Sequence, residues 1–262
     1  MDRGARVVSD AWALLREELA RWRDAGRRAT FWWRDDDAGR WTAALGRLVD
    51  LARRSDVPLA LAVVPAAADA ALFARLGDGV CVLQHGVDHR NRAAAGEKRT
   101  EFPPEEPGDA AAVRIAAGRA RLAPLAGERW VGAFAPPWNR LPATLAARLP
   151  GAGLHGLSAF GPRACARPAP GLVQVNAHVD IVAWRGARGF VGDQAALAQA
   201  VEHLAARRAG RADPDEPTGW LSHHLQHDAA AWDFLAQLLS STREDPAVAW
   251  LDPRALFALQ QV

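Results

Sequence analysis

Short runs of apolar or alternating residues recur along the chain, separated by stretches in which apolar positions return every three to four residues. The runs predict strands near 29–37, 57–65, 80–86, 131–138, 153–160, 172–181, 219–224 and 247–251. Between them the spacing predicts helices near 40–54, 66–76, 109–123, 142–148, 193–208, 228–241 and 253–260. Ahead of the first strand, Ala11, Trp12, Leu14, Leu15, Leu19 and Trp22 oppose Arg16, Glu17, Glu18, Arg21 and Arg23, which predicts an amphipathic helix over about 8–25. Alternation of this kind builds βα units on a parallel sheet, so the expected class is α/β, a TIM-like barrel in one domain spanning 1–262. A doubly wound open sheet is disfavoured, since no glycine-rich phosphate-binding fingerprint follows the first strand. The Pro-rich stretch 95–109 and the charged stretch 208–218 interrupt the pattern and read as loops. The first directly follows a pair of histidines and is a candidate substrate lid.

Composition narrows the function classes. Half the 262 residues are apolar and 24% are charged, enough to build a core and to exclude disorder as the main state. Thirty-two basic against 30 acidic residues leave a net charge of +2, so no broad cationic footprint for nucleic acid is expected. No apolar run approaches the roughly 20 residues of a membrane span. The first residues lack the apolar segment of a secretory signal, and two cysteines, Cys81 and Cys165, cannot make a disulfide framework; the expected location is cytoplasmic. The aromatic load is unusual: Trp 11 and Tyr 0.

Polar residues gather at four predicted strand ends, where a barrel of this class places its chemistry. The first group is Arg34, Asp35, Asp36 and Asp37 after the apolar Phe31-Trp32-Trp33. Adjacent carboxylates repel unless a cation or solvent separates them. In a regular strand Asp35 and Asp37 share one face and Asp36 takes the other, unless the chain turns there. The second group is His85 and His89, whose spacing of four brings two imidazoles together on one helical turn; with a carboxylate they make a three-ligand site with an open position. In the third, Gln174, Asn176, His178 and Asp180 alternate with apolar residues, the pattern of an edge strand or of a polar cavity wall; the cavity wall is favoured. The fourth is Leu221-Ser222-His223-His224, followed by His227 and Asp228, where one histidine is a candidate general acid.

Together these groups resemble the motif set of the polysaccharide deacetylase family, the NodB-homology enzymes of carbohydrate esterase family 4. The matching stretches are Asp35-Asp36-Asp37, His85 to His89, Phe134-Ala135-Pro136-Pro137-Trp138, Asp180 to Trp184, and Leu221-Ser222-His223, five motifs in the family's order. The resemblance implies a distorted (β/α)7 barrel. It implies Asp37, His85 and His89 as ligands of a zinc ion (or another divalent transition metal such as cobalt), Asp36 as base and His223 as acid beside Leu221. The aspartate doublet could instead be Asp35 and Asp36. Asp35, Pro137, Trp138, Asn139, His178, Asp180, Trp184, Leu221 and His224 are the implied substrate-contacting set. Two departures stand out: the family's base-orienting arginine falls at Ala135, and its histidine-tuning aspartate falls at Ala183. Arg34, Arg140, His178 and Asp180 are candidates to supply those charges. The implied activity is hydrolytic removal of an acetyl group from an N-acetylated sugar or glycan precursor. A small-molecule amide hydrolase of the same family and a metal- or sugar-binding pseudoenzyme are the alternatives.

Overall fold

The computed structural model describes residues 10–186 and 188–258. Its strands are β1 (Ala29–Ala38), β2 (Leu59–Val63), β3 (Val80–His85), β4 (Trp130–Ala135), β5 (Gly156–Leu157), β6 (Val173–Gln174), β7 (Val179–Asp180), β8 (Val182–Ala183), β9 (Gly189–Phe190), β10 (Thr218–Ser222) and β11 (Val248–Trp250). Its helices are α1 (Ala11–Asp24), α2 (Ala43–Ser55), α3 (Ala70–Phe73), α4 (Gly108–Ala126), α5 (Ala143–Ala146), α6 (Asp193–Arg208), α7 (Ala229–Arg243) and α8 (Pro253–Phe257). The sheet runs β6-β5-β4-β3-β2-β1-β10-β7 with every pairing parallel, and β11 adds to the lower part of β1.

The stretch expected as one strand over 172–181 is broken, and the break closes the barrel. Its first half, β6, pairs with β5, and its second half, β7, pairs with β10. A single parallel bridge, Phe160 to Ala177, marks where the chain crosses from one neighbour to the other. The wall is therefore a distorted (β/α)7 barrel whose seam is this partner-switching stave. The strict alternation of its sequence does not make it one face of a cavity, because the pleat is interrupted midway.

Two apolar layers follow from the strand periodicity. Phe31 and Trp33 of β1 face outwards and join a core shared with α1, α2, α6 and α7. Trp32 faces inwards among Ala60, Ala62, Cys81, Ala133, Ala135 and Phe257. Those small side chains leave room for the indole and, two residues on, for the fully buried Arg34. Phe257 of α8 meets Trp32 edge-on at 5.8 Å and fills the bottom of the barrel. Helix α1 buries Trp12, Leu15, Leu19 and Trp22, spaced three and four apart, and Asp10 caps it by accepting from the Trp12 amide. The helix expected over 66–76 shortens to α3 (Ala70–Phe73), since the preceding Pro65–Ala67 forms a 3-10 turn instead. Residues 8–9 and 259–260 of the expected end helices lie outside the described residues.

Candidate active site

The end of β1 turns, and the turn decides which aspartates work together. Pairing with β2 shifts register between Asp35 and Ala38, and Asp37 sits in the left-handed region at φ 69. Asp36 and Asp37 consequently both line the cleft above the barrel, whereas a regular pleat would have separated them. Asp35 stays behind the sheet, completely buried. It accepts from Ser222 Oγ at 2.6 Å and the His224 amide at 3.0 Å, and its Oδ1 lies 2.5 Å from His224 Nδ1. Burial alone would raise the Asp35 carboxyl, but the His224 charge and hydrogen bonds bring it below the usual range, and Asp35 in turn raises His224. This buried pair braces the strand ends and removes both residues from the expected substrate-contacting set.

Asp37 Oδ1 lies 3.1 Å from His85 Nε2 and 3.2 Å from His89 Nε2. His85 Nδ1 lies 2.9 Å from the Ala135 carbonyl, which can only accept, so the ring's proton is on Nδ1. In its neutral form His85 therefore aims a lone pair at a carboxylate oxygen. Acceptors facing each other in this way need a cation between them, and two imidazole nitrogens with one carboxylate oxygen suit a divalent transition metal. With a proton in place of the ion, Asp36 and Asp37 hold His85 above its ordinary value against the effect of burial. Hydrogen bonds from His85 and His89 likewise hold Asp37 far below the carboxylate range.

The turn carrying the two histidines is not helical, contrary to the expectation from their spacing. Gly86 has φ 56 and His89 has φ 56. The backbone wraps around the buried Glu101 carboxylate, which accepts from the amides of Val87 (3.0 Å), Asp88 (3.0 Å) and His89 (3.2 Å). A side chain on Gly86 would strike Glu101 and come within 2.5 Å of Pro137 Cγ, so glycine is required both for its φ and for space. Glu101 belongs to the stretch 95–109 read as a candidate lid. Its neighbours Thr100 and Phe102 are also buried, and this part of the loop is an anchor for the turn that carries His85 and His89. Nothing in the sequence pattern marks Glu101, since it is one acid among several in a Pro-rich segment. Pro137, expected at the substrate, instead packs beneath this turn.

Asp36 is held from below by Arg34. Arg34 Nε lies 2.9 Å from Asp36 Oδ1, and Nη2 donates to Oδ2 at 3.0 Å. The rest of the guanidinium fork donates to the Ser158 carbonyl (2.9 Å), Ser158 Oγ (2.6 Å) and Asn139 Oδ1 (2.7 Å). The charge absent at Ala135 of β4 is thus present from β1, three strands along the sheet. Across the cleft, His223 lies between two carboxylates, with Nε2 4.0 Å from Asp36 Oδ2 and Nδ1 3.9 Å from Asp180 Oδ1. Asp180 accepts from the Val182 amide (2.9 Å) and Trp184 Nε1 (2.8 Å), which aims it at His223. Burial raises its carboxyl above the ordinary value, His223 opposing. The charge absent at Ala183 is supplied three residues earlier.

These groups sit on the floor of a cleft of about 680 Å³ at the C-terminal ends of the strands. Trp138, tilted against His89 with ring centres 4.6 Å apart, forms one wall; Trp184, edge-on to His223 at 4.6 Å, forms the other. Trp138 and Asn139 both adopt positive φ, 54 and 56, a strained pair that turns the indole into the cleft. Trp32, Trp33 and Trp220, by contrast, are core. Two further residues of the expected set lie elsewhere. Leu221 is fully buried in β10, in register with Arg34, below the cleft. His178 is buried beside Glu216, 3.3 Å from its Oε2, and stacks on His203 at 3.5 Å and 15°. That trio resembles a ligand set in its residue types, but no ion can lie in both of two nearly parallel ring planes, so it does not fit a metal. Burial lowers both histidines, His203 to about 2.

No family model and no curated protein matches this chain. Solved structures do. A T48 deacetylase with substrate aligns with TM-score 0.53 at 15% identity, covering 89% of this chain and 92% of that one. The Bc1960 peptidoglycan N-acetylglucosamine deacetylase aligns with TM-score 0.53 at 15% identity, covering 88% of each chain. A family 4 acetyl xylan esterase from Clostridium thermocellum, solved with a cobalt ion, aligns with TM-score 0.51 at 16% identity, covering 87% of this chain and 90% of that one. The chain has the polysaccharide deacetylase fold.

Proposed function

We propose that this protein is a zinc-dependent hydrolase that removes an acetyl group from the nitrogen of an acylated amino sugar. The carrying observation is the convergence of three parts on one floor: the Asp37–His85–His89 acceptor triad, the Arg34-bound Asp36 beside it, and His223 opposite. A divalent ion held by the triad would acidify a water and polarise the acyl oxygen. Asp36 would take the proton of the attacking water; its place beside the triad, held by Arg34, supports that role. His223, across the cleft from Asp36, would deliver a proton to the departing nitrogen. An amine cannot leave as its anion, so this donor suits an amide more than an ester. Asp180 Oδ1 faces the other side of the His223 ring, 3.9 Å from Nδ1. Trp138 and Trp184 offer indole faces to a sugar ring.

A pseudoenzyme is the alternative that Ala135 and Ala183 suggest; the charges of Arg34 and Asp180 at the cleft favour turnover over it. No helix among the described residues is long and apolar enough to cross a membrane. The unpaired Cys81 and Cys165 support a reducing, cytoplasmic setting and hence a glycan precursor as substrate.

Acetate release from N-acetylglucosamine and its oligomers tests the reading. Activity is expected to disappear with a chelator and return with zinc or cobalt. Asp36→Asn should abolish turnover with stoichiometric metal retained, and His89→Ala should lose the metal. Stoichiometric metal with no release from a broad panel of N-acetylated sugars and small amides would overturn it.

A further inference from the structure

The charges of the cleft do not balance at its mouth. Each carboxylate on the floor faces a cationic or protonatable partner: Asp36 faces Arg34, Asp37 faces His85 and His89, and Asp180 faces His223. Three arginines also line the cleft, Arg99, Arg140 and Arg188. Among the described residues, none of the three has a carboxylate within 4 Å. Arg140 Nη1 donates to the Arg99 carbonyl at 2.6 Å, so these two stand together on the wall of Trp138. Arg188 lies in the connection between β8 and β9, on the wall of Trp184. All three are exposed.

Resting on the hydrolase reading above, we propose that these arginines select a substrate carrying a phosphate or diphosphate group next to the acylated amino sugar. A guanidinium keeps its charge at any working pH, and its planar fork matches phosphate oxygens two at a time. Three such groups around one opening supply more positive charge than a single carboxylate balances, which favours the phosphoryl group. The floor would then hold the acyl group and the two indoles the sugar, with the anion at the mouth. A neutral polymer would leave all three guanidinium groups without a partner. The aromatic walls would recognise the ring, and the arginines would distinguish a phosphorylated precursor from a neutral glycan.

The test compares acetate release from N-acetylglucosamine 1-phosphate, neutral N-acetylglucosamine and N-acetylmuramic acid, which carries a carboxylate. The phosphorylated sugar is expected to exceed the other two in kcat/KM by roughly tenfold or more, the worth of one charge-assisted hydrogen bond. The combined variant Arg99→Ala, Arg140→Ala, Arg188→Ala should collapse that ratio. A preference for the neutral or carboxylated sugar, or a ratio unchanged in the variant, overturns the proposal. A second arm works without turnover: glucosamine 1-phosphate is titrated calorimetrically into chelator-treated protein. Binding that weakens with salt and is lost in the triple variant is expected. Equal binding by the variant, or no binding by the parent, overturns the anion site. If binding follows the arginines while no compound releases acetate, the hydrolase reading fails and the anion site stands.

Discussion

Replacing Arg34 by methionine is the most informative single change, because the structure puts a number on it. Arg34 is 0% exposed and Asp36 is 2% exposed, so removing the guanidinium strands a carboxylate out of water. It also strips hydrogen-bond donors from the Ser158 carbonyl, Ser158 Oγ and Asn139 Oδ1. Breaking one side of a buried ion pair costs about 3–5 kcal/mol. Asp36 borders the cleft, where water can reach one edge of it, so the lower figure applies. At about 3 kcal/mol the melting temperature of a chain this size falls by roughly 6–12 °C. Urea unfolding of chelator-treated protein reads the loss without any contribution from metal. The double variant Arg34→Met with Asp36→Leu removes both charges and should be more stable than Arg34→Met alone, giving a coupling of about 2 kcal/mol or more. Arg34→Lys keeps the charge but cannot reach both Asp36 oxygens and Ser158 together, so it should rescue only part of the stability and turnover. A loss below about 1 kcal/mol for Arg34→Met, or strict additivity in the double variant, would refute the assignment of Arg34 as the brace of Asp36.

Three further outcomes follow from groups around that centre. Glu101→Gln puts an amide NH₂ among the backbone donors of the turn that carries His85 and His89, and competition with a chelator should show metal affinity reduced about 10–100-fold; unchanged affinity would remove Glu101 from this role. His203 is held to about 2 in the folded protein against an ordinary 6.5. Its stabilising share is therefore complete above pH 6.5 and lost as pH falls below it, at about 1.4 kcal/mol per unit. Urea midpoints at pH 7 and pH 5 should differ less in His203→Gln than in the parent, and equal differences would contradict the buried neutral imidazole. Finally, Cys165 is exposed while Cys81 is buried and pushed up to about 12, so a disulfide reagent should titrate one thiol at once and the second only on unfolding. Two fast thiols in the native protein would contradict the packed barrel interior.

Much of the barrel is legible in the sequence because strands and helices bury opposite periodicities. Strands β1, β2, β3, β4 and β10 coincide closely with their apolar runs. The region 153–181 was less legible, for a physical reason: it is held mainly by short pairings and side-chain bonds. Asn176, for example, ties Ala159 (2.9 Å) and Gly161 (2.8 Å) through its amide, a contact with no periodic signature. Among site residues, those at strand ends were legible through their types and order. Asp35, His178 and His224 share those types but point into buried polar layers, and only the side of the sheet, which sequence does not reveal after a bulge, separates them from Asp36, Asp37 and His223. Glu101 was invisible because its role depends on a contact across 14 residues with backbone amides rather than on a pattern.

The two alanines at motif positions show how a site can keep its electrostatics while its sequence signature fades. What the proposed base Asp36 requires is a guanidinium at the right point in space, and the barrel offers that point to more than one strand. Ala135 lies on β4, and the two strands between it and β1 contribute Ala60, Ala62, Cys81 and Leu83 to the same interior. With small residues lining that space, an arginine rising from β1 reaches Asp36 and still finds acceptors on the far side at Ser158 and Asn139. Ala135 in turn keeps only its backbone task, offering its carbonyl to His85 Nδ1 at 2.9 Å. The same trade occurs at the proposed acid, where Asp180 stands for a carboxylate at Ala183 because the Val182 amide and Trp184 indole turn it towards His223. Charge position is selected by the chemistry, whereas the residue number that supplies it is free to move within the barrel.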